Sequence, residues 1–245
     1  MATSRSSTLF HFTKSIDAVQ GILLNGFVPY YSLEDISWLG TTLNFFGYPR
    51  VCLCDIPIGR ITDHVGFYGS YGLGMSRDWA LRSGINPIAY YSKASPICQT
   101  FLVAIRGAQD AKKKDPKDKM SDCLHTMLAY AKPVSGTMMA QGKPVPKEFY
   151  LESEWRYVPA KTKLVYPVSK ANLDDVAKHA ALNKKAEKES LKFTPADVRY
   201  IFVKQDADIP QLIDFIHAKL QNYSGVDLKI LMSRVTSLEH LERDI

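Results

Sequence analysis

Apolar residues in this chain fall into short runs whose period changes often. Leu9, Phe10 and Phe12 mark a brief strand over Thr8–Phe12. Ile16, Val19 and Leu23 then recur at helical spacing behind Ser15, a natural N-cap, and Asn25-Gly26 closes that helix. Residues 27–46, with Pro29, Tyr30, Tyr31, Glu34 and Asp35, break both periods and predict a loop serving as a lid or a rim. Val51, Leu53 and Ile56 predict a buried strand that stops at Pro57, because proline has no N–H for a sheet ladder. Ser76 caps a short helix ended by Gly84, and Asn86–Tyr91 reads as a strand.

The second half follows the same mixed pattern. Ile97, Phe101, Leu102, Ile105 and Ala108 form the apolar face of a helix begun by Ser95-Pro96, which dissolves into a lysine-rich connector over Lys112–Lys119. Met120, Cys123, Leu124, Met127, Leu128 and Ala131 make the clearest helical stripe, expected as core, with His125 off it and exposed. Lys132–Lys147 is broken by prolines and glycines and predicts one long loop. Glu148–Val158 alternates as a strand with Glu152, Glu154 and Arg156 on one face. Leu164–Val168, Val198–Val203 and Leu228–Met232 read as strands. A lysine-rich helix opens at Asn172, Asp208–Leu220 is helical, and Thr236 with Glu239 forms a capping box. Strands scattered among helices without regular alternation predict an α+β fold. One domain over 1–245 is expected, with a helical insertion at about 95–132 and a basic helical segment at about 172–192.

Composition sharpens this picture at a few points. Hydrophobic residues make up 46% and charged residues 23%, the balance of a soluble globular protein, and no apolar run has membrane-spanning length. The first residues lack the apolar core of a signal peptide, so a cytoplasmic protein is expected, with no membrane partner. Cys52, Cys54, Cys98 and Cys123 show no disulfide spacing. Zinc held by Cys52, Cys54 and His64 would lack a matching second pair, so no metal site is assigned. The net charge of +6 comes mainly from Lys112–Lys119 and Lys178–Lys192, which are either solvated faces or a surface for an acidic partner such as nucleic acid.

Three places offer chemistry. Tyr68-Gly-Ser-Tyr71-Gly-Leu-Gly is either a tight turn with core tyrosines or a loop whose backbone approaches a ligand while the rings stack on it. His11 faces away from Phe10 and Phe12, as a semi-buried histidine or a site residue. Glu152, Glu154 and Arg156 are a surface ion-pair ladder or the wall of a cleft in which paired carboxylates activate a hydroxyl. A metal-dependent nuclease using Asp55, Asp63, His64 and the Glu152/Glu154 pair is a weaker reading.

Leu9-Phe-His-Phe-Thr13, Ile22-Leu-x-x-Gly26-Phe, Val51-Cys-Leu-Cys-Asp-Ile-Pro57, Tyr68-Gly-x-Tyr-Gly-Leu-Gly-Met-Ser76, Trp79 and Glu152-x-Glu-Trp-Arg156 occur in an order that resembles the AbiGi family of abortive phage-infection proteins. Such proteins are described as antitoxins, a label without a mechanism. More distantly, an opening His-x-Thr strand, a helix ending in Gly, a mid-chain tyrosine and a late strand bearing Glu resemble ADP-ribosyltransferases of the DarT-like kind. That resemblance implies a split mixed and antiparallel β core with surrounding helices, and NAD as substrate. It implies His11, Phe12 and Thr13 at the NAD ribose, Tyr71 or Tyr68 stacked on nicotinamide, and Glu154 as catalytic carboxylate with Glu152 orienting the acceptor. A carboxylate beside a sugar developing positive charge stabilises the transition state more than the ground state. The expected function is an anti-phage toxin that transfers ADP-ribose to RNA or single-stranded DNA and is restrained by a neutralising antitoxin protein. The rival is a catalytically inactive antitoxin or RNA-binding regulator on the same fold.

Overall fold

The computed structural model describes residues 7–41, 44–140 and 143–241, with backbone only at Asp63, Met139 and Ala140. β1 (Thr8–Thr13) and α1 (Ile16–Asn25) precede the antiparallel strands β2 (Tyr30–Asp35) and β3 (Phe45–Cys54). Next come α2 (Ile61–Tyr68), β4 (Tyr71–Ser76), α3 (Arg77–Arg82), β5 (Asn86–Pro87) and β6 (Ala89–Tyr91). The helices α4 (Ile97–Lys114) and α5 (Met120–Ala129) lead to β7 (Ala131–Pro133), β8 (Ser135–Ala140), β9 (Lys143–Glu148) and β10 (Glu154–Tyr157). The chain continues through α6 (Lys170–Asp174), α7 (Val176–Ala186), β11 (Val198–Val203), α8 (Ile209–Lys219), α9 (Gly225–Met232), β12 (Val235–Ser237) and α10 (Leu238–Leu241). The fold class is α+β. Two compact units divide the chain, one of residues 1–28, 52–86 and 190–245, the other of 29–51 and 87–189.

In the first unit the strands run in the order β12-β11-β4-β1 and end on the last residues of β3. β4 pairs antiparallel with β1 from Thr8↔Ser76 to Thr13↔Tyr71, and with β11 on its other side. The stretch expected as a turn or a glycine-rich loop thus ends α2 at Tyr68 and from Tyr71 on is a central strand. Its glycines serve packing: a Cβ on Gly72 would lie 2.5 Å from the His11 carbonyl oxygen. One on Gly74 would lie 3.0 Å from each of Phe10, Thr8 and Tyr200, whose side chains crowd over that backbone. Phe10, Phe12, Ile56, Ile61 and Phe202 form one core cluster of this unit.

Two further expectations change here. Leu228–Met232 belongs to helix α9, capped by the Ser224 hydroxyl, which accepts from the Asp227 N–H at 3.1 Å; a short apolar run fits either period until a cap decides. The last helix is capped by Ser237, which accepts from His240 N at 3.1 Å, while Thr236 lies inside β12.

In the second unit β2 pairs with β3 from Tyr30↔Arg50 to Asp35↔Phe45, so much of the expected lid is sheet. β10 lies beside β3 in the strand order. Trp38, Phe46, Phe101, Leu124 and Leu128 pack together as its main cluster. Of the helical stripe, Leu124, Leu128 and Ala131 are buried, whereas Cys123 is exposed, as are Met120 and Met127 at 56% and 60%. The stripe is wider than the surface that covers it. The expected long loop is β7 followed by the antiparallel β8–β9 pair, where Pro144 and Pro146 face Met139 and Thr137; residues 141–142 of that stretch lie outside the described residues. The expected strand over Glu148–Val158 is interrupted. Glu148 ends β9, Phe149–Glu152 is a 3₁₀ turn, Ser153 takes a left-handed φ of 43°, and the chain is a strand again over Glu154–Tyr157. Leu164–Val168 contributes a single bridge, Gly47↔Val168.

Gly72→Ala should destabilise the protein by about 2 kcal/mol, because the added methyl meets a backbone oxygen that cannot swing away. Gly21→Ala, in α1 with nothing within 4 Å of the new Cβ, should stabilise it by about 0.5–1 kcal/mol. Urea denaturation of the two variants checks both signs.

Candidate functional site

The polar centre of the second unit is built around Arg156. Alternation along β10 puts Glu154 and Arg156 on one side. The β2–β3 register puts Glu34, Phe46, Tyr48 and Arg50 on a common face. Arg156 is 1% exposed and all its donors are taken. Nε donates to Glu154 Oε1 at 2.5 Å. Nη1 donates to the Tyr48 hydroxyl at 2.5 Å and to the Ala129 carbonyl at 2.9 Å. Nη2 donates to Glu34 Oε2 at 2.9 Å and to Glu154 Oε2 at 3.0 Å.

A lysine bridge extends the network. Lys132 on β7, 9% exposed, donates to Glu152 Oε2 at 3.0 Å and Glu154 Oε2 at 3.1 Å, with its ammonium 4.4 Å from the centre of the Phe149 ring. Lys147 on β9 meets Glu152 Oε1 at 2.6 Å, and Arg50 meets Glu34 Oε2 at 3.5 Å. Across the 3₁₀ turn and the left-handed Ser153, both carboxylates meet one ammonium. Tyr90 fixes the start of β10, its hydroxyl accepting from the Glu154 N–H at 2.8 Å.

Burial alone would raise the Glu154 carboxyl, but Arg156 and Lys132 overcome it and hold it well below the usual carboxylate range. Burial works against the Lys132 ammonium as well, and Glu154, Glu34 and Glu152 reverse that and raise its pKa. Burial pushes the Tyr48 phenol up, keeping it a neutral relay between Arg156 and Glu34. Burial likewise opposes the Arg156 charge, and Glu154 and Glu34 reverse that and hold it ionised. The arrangement is a desolvated, mutually saturated charge cluster.

The other expected site residues lie in the first unit. His11 Nδ1 donates to the Cys52 carbonyl at 2.8 Å and its ring meets Phe27 edge-on. Burial lowers its pKa against the pull of that hydrogen bond, so the ring is neutral. Phe12 is core, packed on Phe10, Phe202 and His64. Thr13 ends β1 opposite Tyr71. Tyr68 stacks on His64 with ring centres 4.4 Å apart, and the Tyr71 hydroxyl donates to Asp208 at 3.0 Å. Asp55 pairs with Arg77 at 2.7 Å, and the Asp63 side chain lies outside the described residues. Among the described residues no group of three or more His, Cys, Asp or Glu is placed to hold a metal ion.

The residue pattern points to Glu152, Glu154 and Arg156 but gives no hint of Tyr48, Arg50, Lys132 or Lys147 as their partners. The usable signal is charge inside apolar surroundings: Glu34 and Arg50 sit in strands whose neighbours Phe46 and Tyr48 are buried.

The chain falls in a family of abortive phage resistance proteins. It belongs to the AbiGi family, whose model, described as "Putative abortive phage resistance protein AbiGi, antitoxin", matches residues 25–204. That span includes the whole charge cluster and leaves out His11, Phe12 and Thr13. The chain is similar to the abortive phage resistance protein AbiGi of Lactococcus lactis subsp. cremoris, 25% identical over an alignment 246 positions long that takes in 89% of this chain and 99% of that one. No solved structure matches. Among the described residues, no helix is long and apolar enough to cross a membrane.

Arg156→Met should cost about 3–5 kcal/mol, because it strands two buried carboxylates, and should show as a large drop in the urea midpoint. A second expectation concerns acid. His125, expected to be exposed, is half-buried with Nδ1 3.0 Å from Lys161 Nζ. Burial, then the Lys161 charge, lowers its pKa from 6.5 to about 4. The folded state thus binds fewer protons than the unfolded, so its stability is fully present above pH 6.5 and is lost as pH falls toward about 4. Thermal melts across that window should fall less steeply for His125→Gln; the residual slope belongs to His11, which shifts in the same direction, and at the acid end to carboxylates such as Glu154 that the fold holds low.

Proposed function

We propose that this protein is the non-catalytic, antitoxin component of an abortive-infection system, acting by binding a protein partner, and that Glu152 and Glu154 hold its second unit together. The observation that carries this reading is the state of Glu154. Its carboxylate is 7% exposed and already accepts three charge-assisted hydrogen bonds, two from Arg156 and one from Lys132. A catalytic carboxylate has to be open to a ribose hydroxyl, whereas this one is enclosed with both oxygens engaged, and exposing it would loosen charge-assisted hydrogen bonds at a cost of several kcal/mol. The family description as an antitoxin supports the same reading and makes the partner a toxin.

The deciding experiment incubates the protein with labelled NAD and, separately, RNA, single-stranded DNA and lysate protein. Co-expression with the product of the neighbouring gene tests rescue of growth in parallel. The expected result is rescue without label transfer, and a Glu154→Gln variant altered in melting temperature but still without transfer. Label transferred by the wild type and lost in Glu154→Gln would replace this reading with an NAD-dependent ADP-ribosyltransferase toxin.

A further inference from the structure

We propose that the outer face of α7 and the segment leading to α6 form a docking groove for an acidic amphipathic helix. The proposal rests on the antitoxin reading for the partner being a protein. Between Leu164 and Val168 the chain alternates: Leu164, Tyr166 and Val168 are buried, while Val165, 73% exposed, and Pro167 face outward. These two apolar residues help floor an open cavity of about 310 Å³. Its wall is Lys178, Ala181, Leu182 and Lys185. Their i, i+3, i+4, i+7 spacing puts all four on one stripe of the helix.

That stripe has a defined complement. Two apolar residues lie at its middle and a cation at each end, about 10 Å apart for seven residues of helix. Lys178 shares its charge with Asp175 at 3.1 Å, whereas Lys185 is exposed and has no ion-pair partner among the described residues. The neighbouring charges cancel locally, Lys170 with Asp174 and Lys184 with Glu187. A partner helix bearing carboxylates at i and i+7 and leucine-sized residues at i+3 and i+4 would place each acid against a lysine and its apolar pair in the cavity. Charge and shape agree on that occupant. A nucleic acid would meet the two cations, but no aromatic side chain lines the groove to stack a base, and its phosphates would leave Val165, Pro167 and Leu182 uncovered.

The test is fluorescence anisotropy with a labelled alanine-based helical peptide containing Glu-Ala-Ala-Leu-Leu-Ala-Ala-Glu. Saturable binding should weaken at least about ten-fold in Lys185→Glu and in Ala181→Trp, which fills the cavity from an exposed position and should leave the melting temperature unchanged. A peptide with both leucines replaced by serine should fail to bind. A peptide with lysine for one glutamate should recover binding to Lys185→Glu. Equal binding by wild type and both variants would overturn the groove. So would a single-stranded RNA that displaces the peptide and loses affinity in Lys185→Glu but not in Ala181→Trp. The NAD assay is separate: no label transfer with no groove-specific binding sinks this inference alone, whereas label transfer with groove-specific binding sinks the antitoxin reading alone.

Discussion

The guanidinium of Arg156 is the group on which the second unit depends. Taking it out of water is tolerable only if each N–H finds an acceptor, and those acceptors come from four places in the sequence: Glu34 on β2, Tyr48 on β3, Ala129 at the end of α5, and Glu154 on β10 itself. A buried arginine that satisfies its donors this way fixes strand register and the approach of α5 together. Sliding any of those elements by one residue would leave a guanidinium N–H without its acceptor. Lys132 performs the same office for the two carboxylates on either side of the left-handed Ser153.

The same saturation bears on function. A paired glutamate motif in a late strand invites a catalytic reading, since carboxylates at that spacing can orient and activate a hydroxyl. Whether they are available depends on what already neutralises them, and here three cations besides Arg50 do so inside the fold. The features left to face a partner are different in kind: exposed apolar positions on α5, an alternating segment at Val165 and Pro167, and the lysine-edged stripe of α7. These features belong to a member of a family of abortive phage resistance proteins described as antitoxins.

Local rules recovered much of the architecture. Caps at Ser15 and Ser76, the apolar run Val198–Val203 and the period of Ile209–Ile216 all correspond to observed elements, because each rests on contacts within a few residues. The misses share a cause. Gly72 and Gly74 resemble a ligand loop because glycine is the usual mark of a turn, yet they are glycine because Phe10, Tyr200 and the His11 carbonyl, distant in sequence, occupy the space above them. Pro144 and Pro146 hide β9 in the same way, being tolerated because the strand belongs to a two-stranded sheet and so lies at its edge.

By itself, the sequence determined the mixed α+β class, most helices, and the three charged residues Glu152, Glu154 and Arg156 as the place to look; periodicity and capping are local and leave their trace in neighbouring residues. Only the tertiary structure decided what those residues do. The partners Glu34, Tyr48, Lys132 and Lys147 are set by sheet register and by the turn through Ser153, and an electrostatic site is defined by which charges meet out of water, a relation between distant parts of the chain that no local pattern records.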